Sequence, residues 1–257
     1  MEEHVSHSRV FAPAADYGQK TAWRRIRLTG GKSEVLVEME DLAHGMRCVV
    51  EHDGERVTAL RPEFRRIPMT TCAGAGEALQ SIVGLPIGID FSAFFADGRA
   101  RQNCTHMFDL AWLGAVHAAR GECVRDYLME MPDDSAEARP TTLRRDGEVV
   151  LQWRLENSMI LEPEPFAGRH LFRGFTSWAV QHFEGDELEA LLVLQKGCFV
   201  AQSRRYELPN GPLTEAEQQR NAGLCYGFDP KRISVAARLN GTRRDFTDHP
   251  EQLLKFL

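Results

Sequence analysis

RARQNCTHMFDLAWLGAVHAAR, residues 99–120, reads as a buried helix with reactive side chains crowded at its start. From Met107 to Ala119 apolar residues occupy most directions around a helical wheel, which predicts a rod in the core rather than on the surface. Asn103 or Thr105 is expected to cap it. Cys104, His106 and Asp109 fall in or beside its first turn. Unpaired backbone N–H groups and the positive end of the helix dipole favour thiolates, carboxylates and bound oxyanions there. At about 100° per residue, His106, Asp109, Leu110, Leu113, His117 and Arg120 share one stripe. His106 and Asp109 are one turn apart and within hydrogen-bonding reach, whereas His117 lies roughly 16 Å further along and cannot serve the same atom.

Outward from this helix the chain alternates between strands and helices. Upstream, Trp23 to Leu28 and Val35 to Asp41 flank Gly30–Gly31, and Met46 to His52 and Glu55 to Leu60 flank Asp53–Gly54, a dipeptide suited to a tight hairpin turn. Glu77 to Val83 predicts a short helix ending at Gly84, Asp90 to Ala96 one further turn, and Asp97 to Asn103 a polar loop. Downstream, Thr141 to Arg145 and Glu148 to Leu155 flank Asp146–Gly147, and Met159 to Leu161 leads to Pro163 and Pro165. Thr176 to Phe183 and Glu187 to Ala201 predict helices, the second strongly apolar. Thr214 begins a surface helix with Glu217 completing a capping box. Gly223 to Leu239 reads as strand and turn, and a short helix follows His249–Pro250.

The expected class is α+β, with two strand-and-helix halves of antiparallel hairpins packed on helices. Residues 1–22 form an N-terminal arm, with Phe11 and Tyr17 placed to tuck against the body. Residues 23–128 form the first half, the acidic, proline-containing stretch 129–140 (MEMPDDSAEARP) a linker, and residues 141–257 the second half. The DGE runs at 53–55 and 146–148 raise an internal duplication as one explanation and chance similarity as another.

Composition excludes several classes. A chain of 257 residues with a formal charge of -6 is long enough to bury a full core and is a poor match for nucleic acid or an anionic membrane. The six cysteines show no CxxC pair or regular spacing, so reduced thiols and a cytoplasmic location are expected, with no bound metal. The longest apolar run, Ala190 to Leu194, is too short to span a bilayer, and MEEHVSHSRV is acidic and polar where a secretory signal is expected to be basic and then apolar. GxGxxG, GxxxxGK[ST], GxSxG, HExxH and SxxK are all absent, which points away from nucleotide-dependent enzymes, serine hydrolases and zincins and toward cofactor-free chemistry.

Three groups carry candidate chemistry. In the first, Asp109 orients His106 as a general base beside a helix terminus that stabilises an anion, with Cys104 as an alternative nucleophile; an ordinary helix start is the competing reading. The second is PEPFAGRHLFRGFTSW, residues 163–178. There Arg169, His170 and Arg173 alternate with Phe166, Phe172, Phe175 and Trp178, a mixture suited to an anionic or phenolic ring or, equally, to a core-forming helix entry. The third places Tyr226, after Cys225, as a donor to an oxyanion, with Arg243, Arg244, Asp245 and Phe246 downstream.

RRIRLTGG at 24–31, TCAGA at 71–75, GLPIG at 84–88 and, above all, NCTHMFDLA at 103–111 resemble the bacterial family catalogued as domain of unknown function 2889. The resemblance is clear from Arg24 to Arg120 and diffuse beyond, with Met107 standing where the family commonly has leucine. It implies a companion of pathways that break down aromatic compounds, and it carries Cys104, Thr105 and His106 over as the shared site. The resulting expectation is a homodimeric, cofactor-independent lyase acting on a small lignin-type phenolic intermediate. His106 is the base, Asp109 its orienter, and Arg173 or Tyr226 steadies the phenolate, with Thr105, His170, Phe166, Phe175 and Trp178 lining the substrate pocket. A non-catalytic ligand-binding or assembly protein is the alternative from another class, and an isomerase or hydratase would need the same parts.

Overall fold

In the computed structural model, which describes residues 11–134 and 139–256, the period-two stretches become one antiparallel sheet. Its strands are β1 (Thr21–Gly30), β2 (Glu34–Asp41), β3 (Gly45–His52), β4 (Val57–Arg66), β5 (Val124–Pro132), β6 (Thr141–Arg145), β7 (Glu148–Glu156) and β8 (Met159–Glu162). The spatial order is β4-β3-β2-β1-β5-β6-β7-β8. Six α-helices occur among the described residues: α1 (Phe91–Phe94), α2 (Arg99–Gln102), α3 (Thr105–Ala118), α4 (Phe175–His182), α5 (Gly185–Ala201) and α6 (Glu215–Asn221). The protein is α+β.

Alternation along the strands decides which face is covered. Ile26 and Leu28 of β1, Val35, Val37 and Met39 of β2, and Tyr127, Met129 and Met131 of β5 are buried, while their chain neighbours Arg25, Arg27, Asp126 and Leu128 lie on the other face and are half-buried. Both long helices lie across that one apolar face, α3 over β2 and β3 and α5 over β5 to β7. Close approach is possible because each helix carries a glycine at the contact. A Cβ on Gly114 would stand 2.6 Å from Val50 and 3.1 Å from Val37, and one on Gly197 would stand 2.8 Å from the Met129 sulfur. Gly114→Ala gains about 1 kcal/mol of helix propensity but overpacks the α3–sheet seam at a cost of roughly 1–3 kcal/mol. A lower urea midpoint at unchanged slope is therefore expected.

Several expectations change. The sheet continues through residues 129–132, where composition places the start of a linker: they are the last four of the nine residues of β5, paired with β1 from Thr21↔Pro132 to Thr29↔Val124. The acidic and proline cues of this stretch mask its period-two pattern, with Tyr127, Met129 and Met131 inward and Asp126, Leu128 and Glu130 outward. The two halves thus share one sheet through β1 and β5. Each contributes four successive strands followed by a long helix, but the DGE runs occupy different hairpins, β3–β4 and β6–β7, so they are not equivalent points of that echo. β4 runs on past Leu60 to Arg66 because Pro62 lies in an edge strand, where a missing N–H is tolerated. The stretch 77–83 forms 3₁₀ turns rather than an α-helix, and 97–103 contains α2 rather than only loop.

Other details follow from local chemistry. α3 is capped by neither Asn103 nor Thr105. Cys104 holds the N-cap position without a side-chain bond, and the Asn103 amide donates backwards to the Arg99 carbonyl. The Thr214–Glu217 capping box is formed as expected. Residues 223–239 are mostly 3₁₀ turns with a two-residue strand, Ala237–Arg238, paired to Gly211–Pro212. Of the N-terminal arm, residues 11–22 fall within the described chain; Thr21 and Ala22 already belong to β1, and Phe11 lies 6.1 Å from Tyr206 and beneath Arg220 and Arg238.

Candidate functional site

The site grows from the register of β1 on β2, which sets Arg24 opposite Asp41. Both side chains point to the helix-covered face, and Asp41 accepts from Arg24 Nε at 2.9 Å and Nη2 at 2.6 Å. The tight β2–β3 turn adds the backbone N–H groups of Ala43 and His44, at 2.8 and 2.7 Å, and His44 Nδ1 at 3.1 Å. Burial alone would raise the Asp41 carboxyl, but the His44 ring, the Arg24 guanidinium and these bonds outweigh it and hold the carboxyl well below the ordinary range.

His44 in turn lies against His106, with ring centroids 4.1 Å apart and planes inclined by 31°. Among the described residues, no protein group hydrogen-bonds the His106 ring. Burial chiefly, then electrostatic interaction with His44 and the Arg24 guanidinium, depresses its basicity well below the usual histidine value against the opposing pull of Asp41, with Lys196 adding a smaller push in the same direction. The ring is therefore neutral at pH 7 and keeps a lone pair free. One turn on, Asp109 accepts from Lys196 of α5, with Oδ1 3.0 Å from the ammonium. Burial raises the Asp109 carboxyl, and Lys196 partly offsets it.

His106, Asp109, Lys196 and Arg24 line one cleft with the apolar side chains of Ile26, Met39, Phe91, Leu110, Trp112, Leu113, Leu192 and Val193. Its empty volume, including the part open to solvent, is about 400 Å³, but the room for the centre of a water molecule is only about 20 Å³. As it stands the cleft is narrow, able to take one or two waters. A base with a free lone pair, an ammonium and an apolar wall thus meet where α3 and α5 converge over β1 and β2.

The expected residues distribute unevenly. His106 and Asp109 share the cleft, but the carboxylate is turned to Lys196, so it does not orient the imidazole. Cys104 is buried at the helix start, and desolvation pushes its thiol up to about 12, which removes it as a thiolate nucleophile at neutral pH. Thr105 is half-buried and does not line the cleft. Tyr226 lies outside it: its ring sits under the Arg232 guanidinium at 3.9 Å and its N–H donates to the Asn103 carbonyl. Phe166, Phe175 and Trp178 are the aromatic core of the second half, where Trp153 lies 5.5 Å from Phe175 and Phe166 6.0 Å from Trp178. His170 bridges to Met159, its Nδ1 accepting from the Phe172 N–H, and Arg173 is exposed.

Arg24, Asp41, His44 and Lys196 belong to no motif that marks them as site residues in the sequence. The signal for Arg24 is its place among the inward positions of β1, alternating with Ile26 and Leu28. The signal for Lys196 is its standing as the lone cation in the apolar run LEALLVLQKGCFVA. Cys72, Cys104 and Cys225 come within electrostatic reach of one another, yet no three His, Cys, Asp or Glu side chains among the described residues converge to hold a metal ion.

Residues 25–119, from β1 to the end of α3, match the family model described as "Protein of unknown function (DUF2889)". Asp41, His44, His106 and Asp109 lie inside it, and Lys196 is supplied from outside. No curated protein and no solved structure matches the chain. No helix among the described residues is long and apolar enough to cross a membrane.

Proposed function

We propose that the α3–α5 cleft is the active site of an acid–base lyase that needs no cofactor and acts on a small single-ring phenolic compound. The observation that carries this reading is the neutral His106 ring, lacking a hydrogen-bond partner among the described residues and facing an apolar cleft that also holds the Lys196 ammonium. Widening of the cleft by movement of the Phe91 and Trp112 rings admits the substrate ring against the apolar wall. In a phenol with a hydroxyl on the carbon attached to the ring and a hydroxymethyl group on the next carbon, loss of water from the first carbon gives a quinone methide, and His106 then takes the O–H proton of the hydroxymethyl group. The bond between the hydroxymethyl carbon and the side chain breaks, formaldehyde leaves, and the released electron pair forms the side-chain double bond as the ring returns to a phenolate, which Lys196 meets. Elimination of water uses the same base on a carbon-bound proton.

The test is a panel of hydroxymethyl-bearing phenols assayed for released formaldehyde and for the phenolate absorbance, with wild type and Lys196→Met side by side. Loss of a donor aimed at developing negative charge is expected to slow turnover roughly 10²- to 10³-fold. Equal rates in the two proteins, or no turnover of any member by wild type, would count against the reading. In the competing non-catalytic reading, favoured by the narrowness of the cleft, Lys196→Met changes unfolding midpoints only.

A further inference from the structure

Outside the cleft, Arg169 is a half-buried cation whose Nε is buried without an acceptor. It lies on the connection between β8 and α4, with its backbone locked against β8: Ile160 donates to the Arg169 carbonyl at 2.9 Å, and Gly168 donates to the Ile160 carbonyl at 2.8 Å. Its guanidinium carbon stands 3.7 Å from the centroid of the Trp178 ring. Trp178 is itself wedged between Phe166, Phe175 and Phe183, at 6.0, 5.5 and 5.4 Å, so the platform is rigid. Arg169 Nε is buried with no hydrogen-bond acceptor, and among the described residues no carboxylate pairs with this guanidinium.

Stacking on an indole uses only the face of a guanidinium. The N–H donors point outward in its plane and stay unspent. A buried cationic donor without an acceptor is costly to keep. What completes such a fork is a planar, two-oxygen anion lying in the guanidinium plane, and the surrounding rings suit one with an organic body. Arg173, exposed and likewise without a carboxylate partner among the described residues, adds positive charge four residues along. None of residues 163–183 lines the His106 cleft.

We propose that Arg169, laid flat on Trp178, is a binding site for the carboxylate of a small organic acid, separate from the His106 cleft. Benzoate and acetate serve as probes. Each is titrated into the full chain while tryptophan emission and the thermal midpoint are followed, with Trp178→Phe identifying the emission that comes from this ring. Wild type is expected to bind benzoate saturably and more weakly as salt rises. Arg169→Gln is expected to lose roughly ten- to a hundredfold in affinity, as removal of a charge-assisted pair does. His106→Ala leaves the affinity unchanged, which separates this site from the proposed lyase centre. If Arg169→Gln unfolds, Arg169→Lys, which keeps the charge and stem but loses the planar fork, carries the comparison and is expected to bind more weakly than wild type. The proposal is overturned if wild type shows no saturable binding, if the folded variant binds as tightly as wild type, or if inorganic phosphate binds Arg169 better than benzoate.

Discussion

His106→Ala should lower turnover of the phenolic substrate by roughly 10²- to 10⁴-fold, the range a positioned general base contributes, while the protein stays folded. The ring is half-buried, stacks against His44 and hydrogen-bonds no described residue, so its removal opens space beside the cleft without stripping a hydrogen bond from any neighbour. The measurement is the rate of formaldehyde release together with a urea curve on the same preparation. A folded variant that turns substrate over at the wild-type rate would remove the base from the mechanism. The pH profile supplies an independent reading. His44 and Asp41 from the β2 end, Arg24 from β1, Asp109 on α3 itself and Lys196 from α5 surround the ring, and their balance, led by desolvation, keeps His106 unprotonated far below pH 6.5. The rate should therefore already be at its plateau at pH 6 and fall only under more acidic conditions. Stability moves the same way: the unfolded chain takes up the proton first, so folding weakens as pH drops from the ordinary histidine value toward the depressed one.

Asp41→Ala should cost about 3–5 kcal/mol, the largest stability loss expected of any single side chain near the site. Asp41 is 1% exposed and Arg24 3%, so the alanine would leave a guanidinium buried without its counter-charge. It would also strip acceptors from the N–H groups of Ala43 and His44 in the β2–β3 turn and release the His44 ring on which His106 rests. Denaturant unfolding monitored by circular dichroism reads the loss directly, and a change under about 1 kcal/mol would show that the pair contributes little net. Because the folded carboxyl sits well below the ordinary aspartate value, its contribution is fully present above about pH 4. It is lost as pH falls through the depressed value. Wild type should thus lose stability in acid more steeply than Asp41→Ala does.

Elements with a strong period are legible from the order of residues alone. The strands flanking Gly30–Gly31, Asp53–Gly54 and Asp146–Gly147, the long helices at 105–118 and 185–201, and the Thr214 capping box follow from alternation, turn chemistry and caps within a few residues. β5 is hidden because Glu130 and Pro132 imitate a boundary, and because what makes it a central strand is its pairing with residues a hundred positions earlier. The candidate site divides along the same line. His106 and Asp109 stand out as polar groups at the start of an apolar helix. Their partners do not: Asp109 meets Lys196, 87 residues on, and His106 meets His44, 62 residues back.

Side-chain pattern along the chain was thus enough for the element types, the α+β class and the crowding of reactive groups at one helix start. Strand order, the joining of both halves through β1 and β5, and the pairing that turned Asp109 away from His106 were settled by the folded chain. The physical reason is that local periodicity reports which face of an element is buried. Which charge lies opposite which inside that core depends on the register between strands and on how far apart two helices sit on the sheet.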